Sequence, residues 1–587
     1  MLILGGGVAG LSLACQLKSA RPELDIVVAE KADFPAPASA HKVGESTVPI
    51  AANYFYEVLG LREHLDQEQL PKLGLRFFGS RDGNVDIARR PELGARRPSP
   101  LRSFQLDHGT LENALAAHSE ELGVTVLDGM RANDVVIDDD KRVVSFIQRE
   151  GALCSIEARW LVDASGRAAL LKRKLGLDEE APHRGQAAWF RIADRIAVDD
   201  WASDPGWAAR VYRKERWRST VHLHGRGYWV WLIPLASGST SVGLVADPEY
   251  VPFERMRRFD VLLEWLKENE PQLAAEVEKR TDLLQDFRTR KEYPRNARQV
   301  FSPQRWFITG DAGIFLDPLY SPGMDYISIA NTFITSLIGD DIDGRERMDE
   351  RLEAADGLFR TMAGINFSAY TDQYKLLGNA EIMAVKLTWD TLVYFTVIAP
   401  LAFGHDVIED PVFGVMPQIE GEVARMVALN IAFRNLVDEW DALAGDEISI
   451  GTATACDAVM DEMQLSLLRA KTDEAEIVAH IKRHVDVLDM VFVELVEAVA
   501  FGLGRELPDD PDRFASDEGL TAFRLSNLKE IDGVAKEPST FSSQGGLYWA
   551  ERTPPEGMTN AHLAAWPHPG GGPVEAMPEV AYPIGSA

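Results

Sequence analysis

Cysteine is scarce. Only Cys15, Cys154 and Cys456 occur in 587 residues, with no paired spacing, which argues against a disulfide framework or a zinc module and fits a reducing compartment. Positive charge is also short: 61 Lys and Arg stand against 91 Asp and Glu, a formal net charge of -30. Such a chain is repelled on average by phosphate backbones and anionic lipid surfaces, so nucleic acid is not an expected partner. Long apolar runs are missing too. The strongly apolar uncharged stretch Thr391 to Gly404 includes Pro400 and falls short of the roughly 20 residues that span a bilayer. It reads as a buried or pocket-lining helix, with no membrane span. No basic region followed by an apolar core and a small-residue cleavage site opens the sequence, so a cytoplasmic location is expected.

What is present is ordinary globular composition, with 46% apolar and 26% charged residues, at a length that calls for at least two packed regions. Met1 to Glu30 reads as strand, glycine turn, helix and second strand, a βαβ unit. A helix from Thr110 to Leu122 and strands near Val124 to Leu127 and Val143 to Ile147 follow. Three strand-like runs, Thr220 to His224, Tyr228 to Ile233 and Thr240 to Ala246, are separated by Gly-containing turns and suggest an antiparallel meander. The strand Trp306 to Thr309 then leads through a Gly- and Pro-punctuated loop to a helix near Met324. Past residue 340 the period becomes helical, with Val485, Leu488, Val491, Phe492, Leu495 and Val499 on one face. The fold class is therefore α/β: a Rossmann-like core over residues 1–340 carrying an inserted antiparallel sheet at about 180–300, a separate helical C-terminal region over 341–535, and a Pro/Gly-rich irregular tail over 536–587.

Gly5, Gly7 and Gly10 match G-x-G-x-x-G between a strand and a helix, where small residues let backbone approach a pyrophosphate at a helix N-terminus. Glu30 closes the second strand at the interval, about 20 residues, where a carboxylate meets the ribose hydroxyls. Together these predict dinucleotide binding; the glycines alone would equally suit a tight turn. Two further strand-end turns, Leu161 to Arg167 with Asp163 and Ile308 to Ala312 with Gly310 and Asp311, resemble the second and third cofactor segments of FAD enzymes with the hydroxybenzoate-hydroxylase type of fold.

Two segments then resemble one family, the flavin-dependent halogenases. Val43 to Pro49, with Glu45 and Ser46, is similar to their G-E-[SA]-T-x-P strap beside the flavin, and Trp229 to Pro234 matches W-x-W-x-I-P in full. Trp229, Trp231 and Ile233 share one face of a strand, which alone would suit a sheet core. The resemblance covers roughly residues 1 to 340. It implies FAD, reduced by a separate flavin reductase, and chloride or bromide oxidised to hypohalous acid. The tryptophan wall would separate flavin from an electron-rich aromatic or pyrrolic substrate, free or carrier-tethered. Lys72, in Pro71-Lys72-Leu73-Gly74, would receive the oxidant, as an ammonium that hydrogen-bonds it or as an amine that forms a haloamine.

Several residues depart from the family pattern. In Asp317 to Asp325, Pro322 has no N–H to offer a halide, leaving Ser321 and Gly323 as the halide-binding positions. Tyr320 stands where tryptophan halogenases place a glutamate, which disfavours free tryptophan. His108 replaces an arginine that would grip the pyrophosphate, with Arg102 as its candidate substitute. Trp389, Tyr394 and Phe395 would cap the substrate side or serve as core. Three readings follow: a halogenase of the phenol or pyrrole branch, a related flavin monooxygenase or oxidase that ignores halide, and a non-catalytic flavin-binding protein.

Overall fold

The computed structural model describes residues 1–530 apart from 38–43, 96–97, 139–140, 406, 409, 445–451, 454–456 and 508–513. Val43, Cys456 and the 536–587 tail lie outside the described residues. The opening βαβ unit forms as its pattern predicts, with the strand Leu2–Leu4 pairing in parallel with Val27–Ala29 across the helix Val8–Ala20. A six-stranded sheet grows from it in the order Phe301–Ser302, Trp306–Ile308, Leu161–Asp163, Leu2–Leu4, Val27–Ala29, Thr125–Leu127. All neighbours but the Phe301–Ser302 edge are parallel. Consequently the three cofactor-like turns, which follow Leu4, Asp163 and Ile308, leave adjacent strands at one edge, the crevice where open α/β sheets bind ligands.

The expected meander is the centre of an eight-stranded sheet. Tyr228–Pro234 lies between Thr220–Gly225 and Thr240–Ala246, and the sheet extends through Gln186–Ile192 to Leu284–Arg290. It also takes strands from outside the 180–300 segment: Leu75–Phe78 pairs in parallel with Thr220–Gly225, Glu92–Gly94 pairs beside it, and Thr452–Ala453 closes the edge. Both faces of Tyr228–Pro234 are buried. One apolar core lies on the tryptophan side and a smaller one, around Val230 and Leu232, on the other.

The helical region packs as part of the main body. Glu474–Gly502 buries Val485, Leu488, Phe492, Leu495 and Val499 in the same core that holds Leu2 and Leu161, so it is not the separate appendage that its distinct periodicity suggested. Thr391 to Phe403 of that run lie within Ala380–Phe403, a helix long and apolar enough to cross a membrane, with 83% of its apolar window buried inside the protein, and Gly404 caps its end. A π turn at Tyr394–Ile398 interrupts it; such bulges often mark functional positions.

Candidate active site

The three strand-end turns close on one another. Gly5 has φ of 112°, and a side chain there would run into the Ala164 carbonyl; one on Gly10 would run into the Gly5 carbonyl. A Cβ on Gly310, at φ 61°, would sit 3.0 Å from the Ala9 Cβ. Only glycine fits these approaches. Gly7 caps the helix Val8–Ala20 with no side-chain partner on its first amides, leaving N–H groups for an anion. Glu30 accepts from the Gly6 amide at 2.6 Å and the Ala32 amide at 2.9 Å, fixing the carboxylate beside the glycine loop. Asp311 faces Arg167, whose half-buried guanidinium is pushed down to about 10, first by desolvation.

Other predicted cofactor residues are engaged differently. Asp163 is fully buried, and its oxygens accept from the Ser165 amide at 2.9 Å and the Leu171 amide at 2.7 Å, so it shapes its own turn. Arg102 lies 4.5 Å over the Tyr56 ring and 3.6 Å from Asp66. The arginine that meets Asp107, at 3.0 Å, and also Glu45, is Arg191 from the central sheet. Sequence reasoning missed it because the pairing spans 84 residues to Asp107. His108 is buried, and its Nδ1 lies 3.9 Å from the Glu112 carboxylate, beyond hydrogen-bond reach. Neither ring nitrogen has a hydrogen-bond partner among the described residues, and Nε2 lies 3.3 Å from where a Cβ on Gly44 would be. Native interiors rarely leave such atoms unpaired. Together with the glycine cradle, this orphaned imidazole fits a polar cofactor passing between the strap and the first helix.

Two cavities flank this region. The inner one, about 50 Å³, is walled by Trp229, Trp231, Ile233 and His222 and floored by Ser321, Pro322 and Gly323. The outer one, about 270 Å³, is lined by Lys72, Phe77, Tyr320, Tyr370, Tyr394 and Phe395, among others. The tryptophans face the inner cavity. A ring stack links the two linings, with Phe77 on the outer cavity and His222 on the inner, centroids 4.3 Å apart. Pro322 touches both. Burial holds His222 neutral by lowering its pKa to about 3. Of the aromatic residues expected to cap the substrate side, Tyr394 and Phe395 line the outer cavity. Trp389 instead stacks on Phe433 at 4.7 Å.

Trp229 is pinned by a buried polar cluster. Its Nε1 donates to Tyr374 at 2.8 Å, and Tyr374 donates to Asp317 at 2.5 Å. Asp317 also accepts from Tyr293 and contacts His183 at 2.9 Å. Trp231 donates to Ser241 at 3.2 Å and overlies Gly243 so closely that a Cβ there would enter the indole. Gly243→Val is therefore expected to cost about 1–3 kcal/mol in stability and to push the indole into the inner cavity. Fluorescence titration should show at least a tenfold loss of FAD affinity.

Lys72 joins the chambers. It is buried, lines the outer cavity, and donates to Ser46 Oγ and the Thr47 carbonyl, each at 2.8 Å. Ser46 lines the inner cavity. Desolvation lowers the Lys72 ammonium from 10.5 to about 7, opposed by Asp325. Asp325, in the first turn of Gly323–Ile342, is raised to about 7 by burial while accepting from the Ala51 amide at 2.8 Å and Tyr394 at 2.9 Å. A coupled lysine and carboxylate, both titrating near neutrality in a cavity, are typical of a reactive site. Lysine with apolar neighbours was visible in the sequence; Asp325 was not, because nothing local marks it as the lysine's counter-charge.

The profile of the family described as Tryptophan halogenase matches residues 1–85 and 87–369. The chain belongs to the flavin-dependent halogenases. It is similar to the flavin-dependent halogenase chlA of Dictyostelium discoideum, 27% identical over 441 residues that span 69% of this chain and 70% of that protein. The 1H-pyrrole-2-carbonyl-peptidyl-carrier-protein chlorinase of Pseudomonas fluorescens is 26% identical over 371 residues, 60% of this chain and 77% of that one. Among solved structures, halogenase PltM in complex with phloroglucinol and FAD superposes with a TM-score of 0.58 at 15% identity, over 84% of this chain and 96% of PltM. Membership makes the protein an FAD-dependent, halide-using enzyme.

Proposed function

We propose that this halogenase passes hypohalous acid from the inner cavity to an electron-rich arene in the outer cavity, with the Lys72 ammonium as the general acid between them. The observation that carries this is the placement of one buried, near-neutral lysine against a residue of the inner cavity while it lines the outer one. FAD, when bound and reduced by a separate reductase, supplies with dioxygen the oxidation of halide to hypohalous acid. Two Lys72 N–H groups are committed to Ser46 and Thr47, which aims the remaining one. As the arene's π electrons take the halogen, the O–X bond breaks and that proton leaves with the hydroxide as water. An acid whose pKa lies near the working pH suits this step. The ring stack of Phe77 and neutral His222 keeps the arene in the outer chamber.

The first-turn amides of Gly323–Ile342 form the halide cradle, with Pro322 as N-cap and Ser321 in the left-handed conformation at φ 58°. Pro322→Thr returns an N–H to this loop, and the halide KM should fall severalfold in assays of bromination and chlorination. The cofactor set is FAD held by Gly5, Gly7, Gly10, Glu30, Gly310 and Asp311. Substrates are aromatic small molecules, free or carrier-bound, and the cytosol, where reduced flavin is available, is the working compartment. The test is to supply the protein with FAD, a flavin reductase, NADH, oxygen and bromide and to screen phenols, indoles and pyrroles by mass spectrometry. Brominated product supports the reading, whereas oxygenated product formed equally without halide refutes it.

A further inference from the structure

The outer cavity contains a second carboxylate that the halogen-transfer step does not use. Asp390, on the helix Ala380–Val393, lines this cavity. Its Oδ2 accepts from Tyr320 at 2.6 Å and from the buried Lys386 ammonium at 2.6 Å. Both donors sit on the same oxygen. Oδ1 has no donor among the described residues, and the side chain keeps 12% exposure while lining the cavity. A carboxylate braced on one oxygen by a buried cation, its other oxygen unclaimed by any described donor, on the wall of a chamber that includes Phe77, Tyr370 and Phe395, is a preorganised acceptor in an aromatic-lined site.

We infer that Asp390 is the residue that selects and orients the substrate, by accepting a hydrogen bond from a donor conjugated to its aromatic ring: a phenolic O–H or, by the same chemistry, a pyrrole-type N–H. This rests on the reading of the outer cavity as the halogenation chamber. Its physical basis is charge development. When the ring's π electrons form the new carbon–halogen bond, the ring becomes cationic, and the conjugated oxygen or nitrogen shares that charge. Its X–H group then becomes more acidic, so its bond to a fixed carboxylate strengthens in the transition state. Loss of the proton from the halogenated carbon restores aromaticity and reprotonates the Lys72 amine. The sum is arene plus hypohalous acid giving haloarene plus water. Tyr320 and Lys386 hold Asp390 in place and are positioning residues.

The test compares a phenol with its methyl ether, and pyrrole with N-methylpyrrole, on wild-type enzyme and on Asp390→Asn. Asparagine can keep its carbonyl toward Tyr320 and Lys386 while turning an NH₂ donor to the cavity. Calorimetric titration of the resting protein should show wild type preferring each donor-bearing ligand by ten- to hundredfold, the range of one hydrogen bond to a charged group. Asp390→Asn should erase that preference and lower kcat/KM for the phenol by at least as much. Equal binding of phenol and ether to wild type overturns the inference without recourse to any variant. So does an Asp390→Asn enzyme with undiminished discrimination. Absence of halogenated product from wild type with all four compounds would instead refute the proposed function, and the titrations would still decide the role of Asp390.

Discussion

Replacing Lys72 with methionine should abolish halogenation and raise thermal stability in the same protein. General acid catalysis is worth about 10²- to 10⁴-fold, so product formation should fall by at least 10²-fold, while halide-dependent oxidation of reduced flavin, proposed to occur apart from Lys72 in the inner cavity, continues. Stability should move the other way. The Lys72 pKa is about 7 against 10.5 for a free lysine, so the folded state binds fewer protons than the unfolded chain between those values. The penalty for burying the ammonium is therefore complete below pH 7, fades as pH rises, and is gone above roughly pH 10.5. It is on the order of a few kcal/mol. Methionine fills similar space without charge. A melting temperature that exceeds wild type at pH 6, with the gap closing toward pH 10, identifies a lysine kept for chemistry. A variant that melts lower at every pH, or that loses flavin oxidation together with halogenation, would mark Lys72 as structural.

Replacing Asp325 with asparagine should move the pH profile. In wild type, halogenation carried by an ammonium is full below pH 7 and declines as pH rises through about 7. Asp325 raises the Lys72 pKa, and a neutral asparagine can keep contacts to the Ala51 amide and Tyr394 without supplying that charge. The Lys72 pKa then falls further, by about one unit for a charge at short range in a shielded site. At pH 8 the variant should be about tenfold slower than wild type, and it should recover toward the wild-type rate near pH 6, where its lysine is again protonated. A profile that instead rises with pH would show that the neutral amine reacts with hypohalous acid to form a haloamine.

Much of this protein was legible from residue order. Gly5 and Gly10 lie on a strand-to-helix turn where the close approach of the Ala164 and Gly5 carbonyls admits no Cβ, a constraint written into composition at fixed spacing. Trp229 and Trp231 lie on one face of Tyr228–Pro234 because side chains in a strand alternate. Lys72 stood out as a charge among apolar neighbours. These are local rules, and they carried the fold class and most of the family assignment.

What the tertiary structure alone decided are pairings between distant segments. Arg191, not Arg102, meets Asp107 and Glu45, because the second arginine stacks on Tyr56 instead. Phe77 on the outer cavity meets His222 on the inner because a parallel strand pairing joins their segments across a long connection. Asp325 and Asp390 look like ordinary helix carboxylates in the sequence; packing sets one against Lys72 as its counter-charge and gathers two donors, Tyr320 and Lys386, on a single oxygen of the other. Periodicity specifies which face of an element is buried. It does not specify which charged group waits on the opposite wall, since desolvation and Coulomb interaction depend on distances that only the packed chain sets.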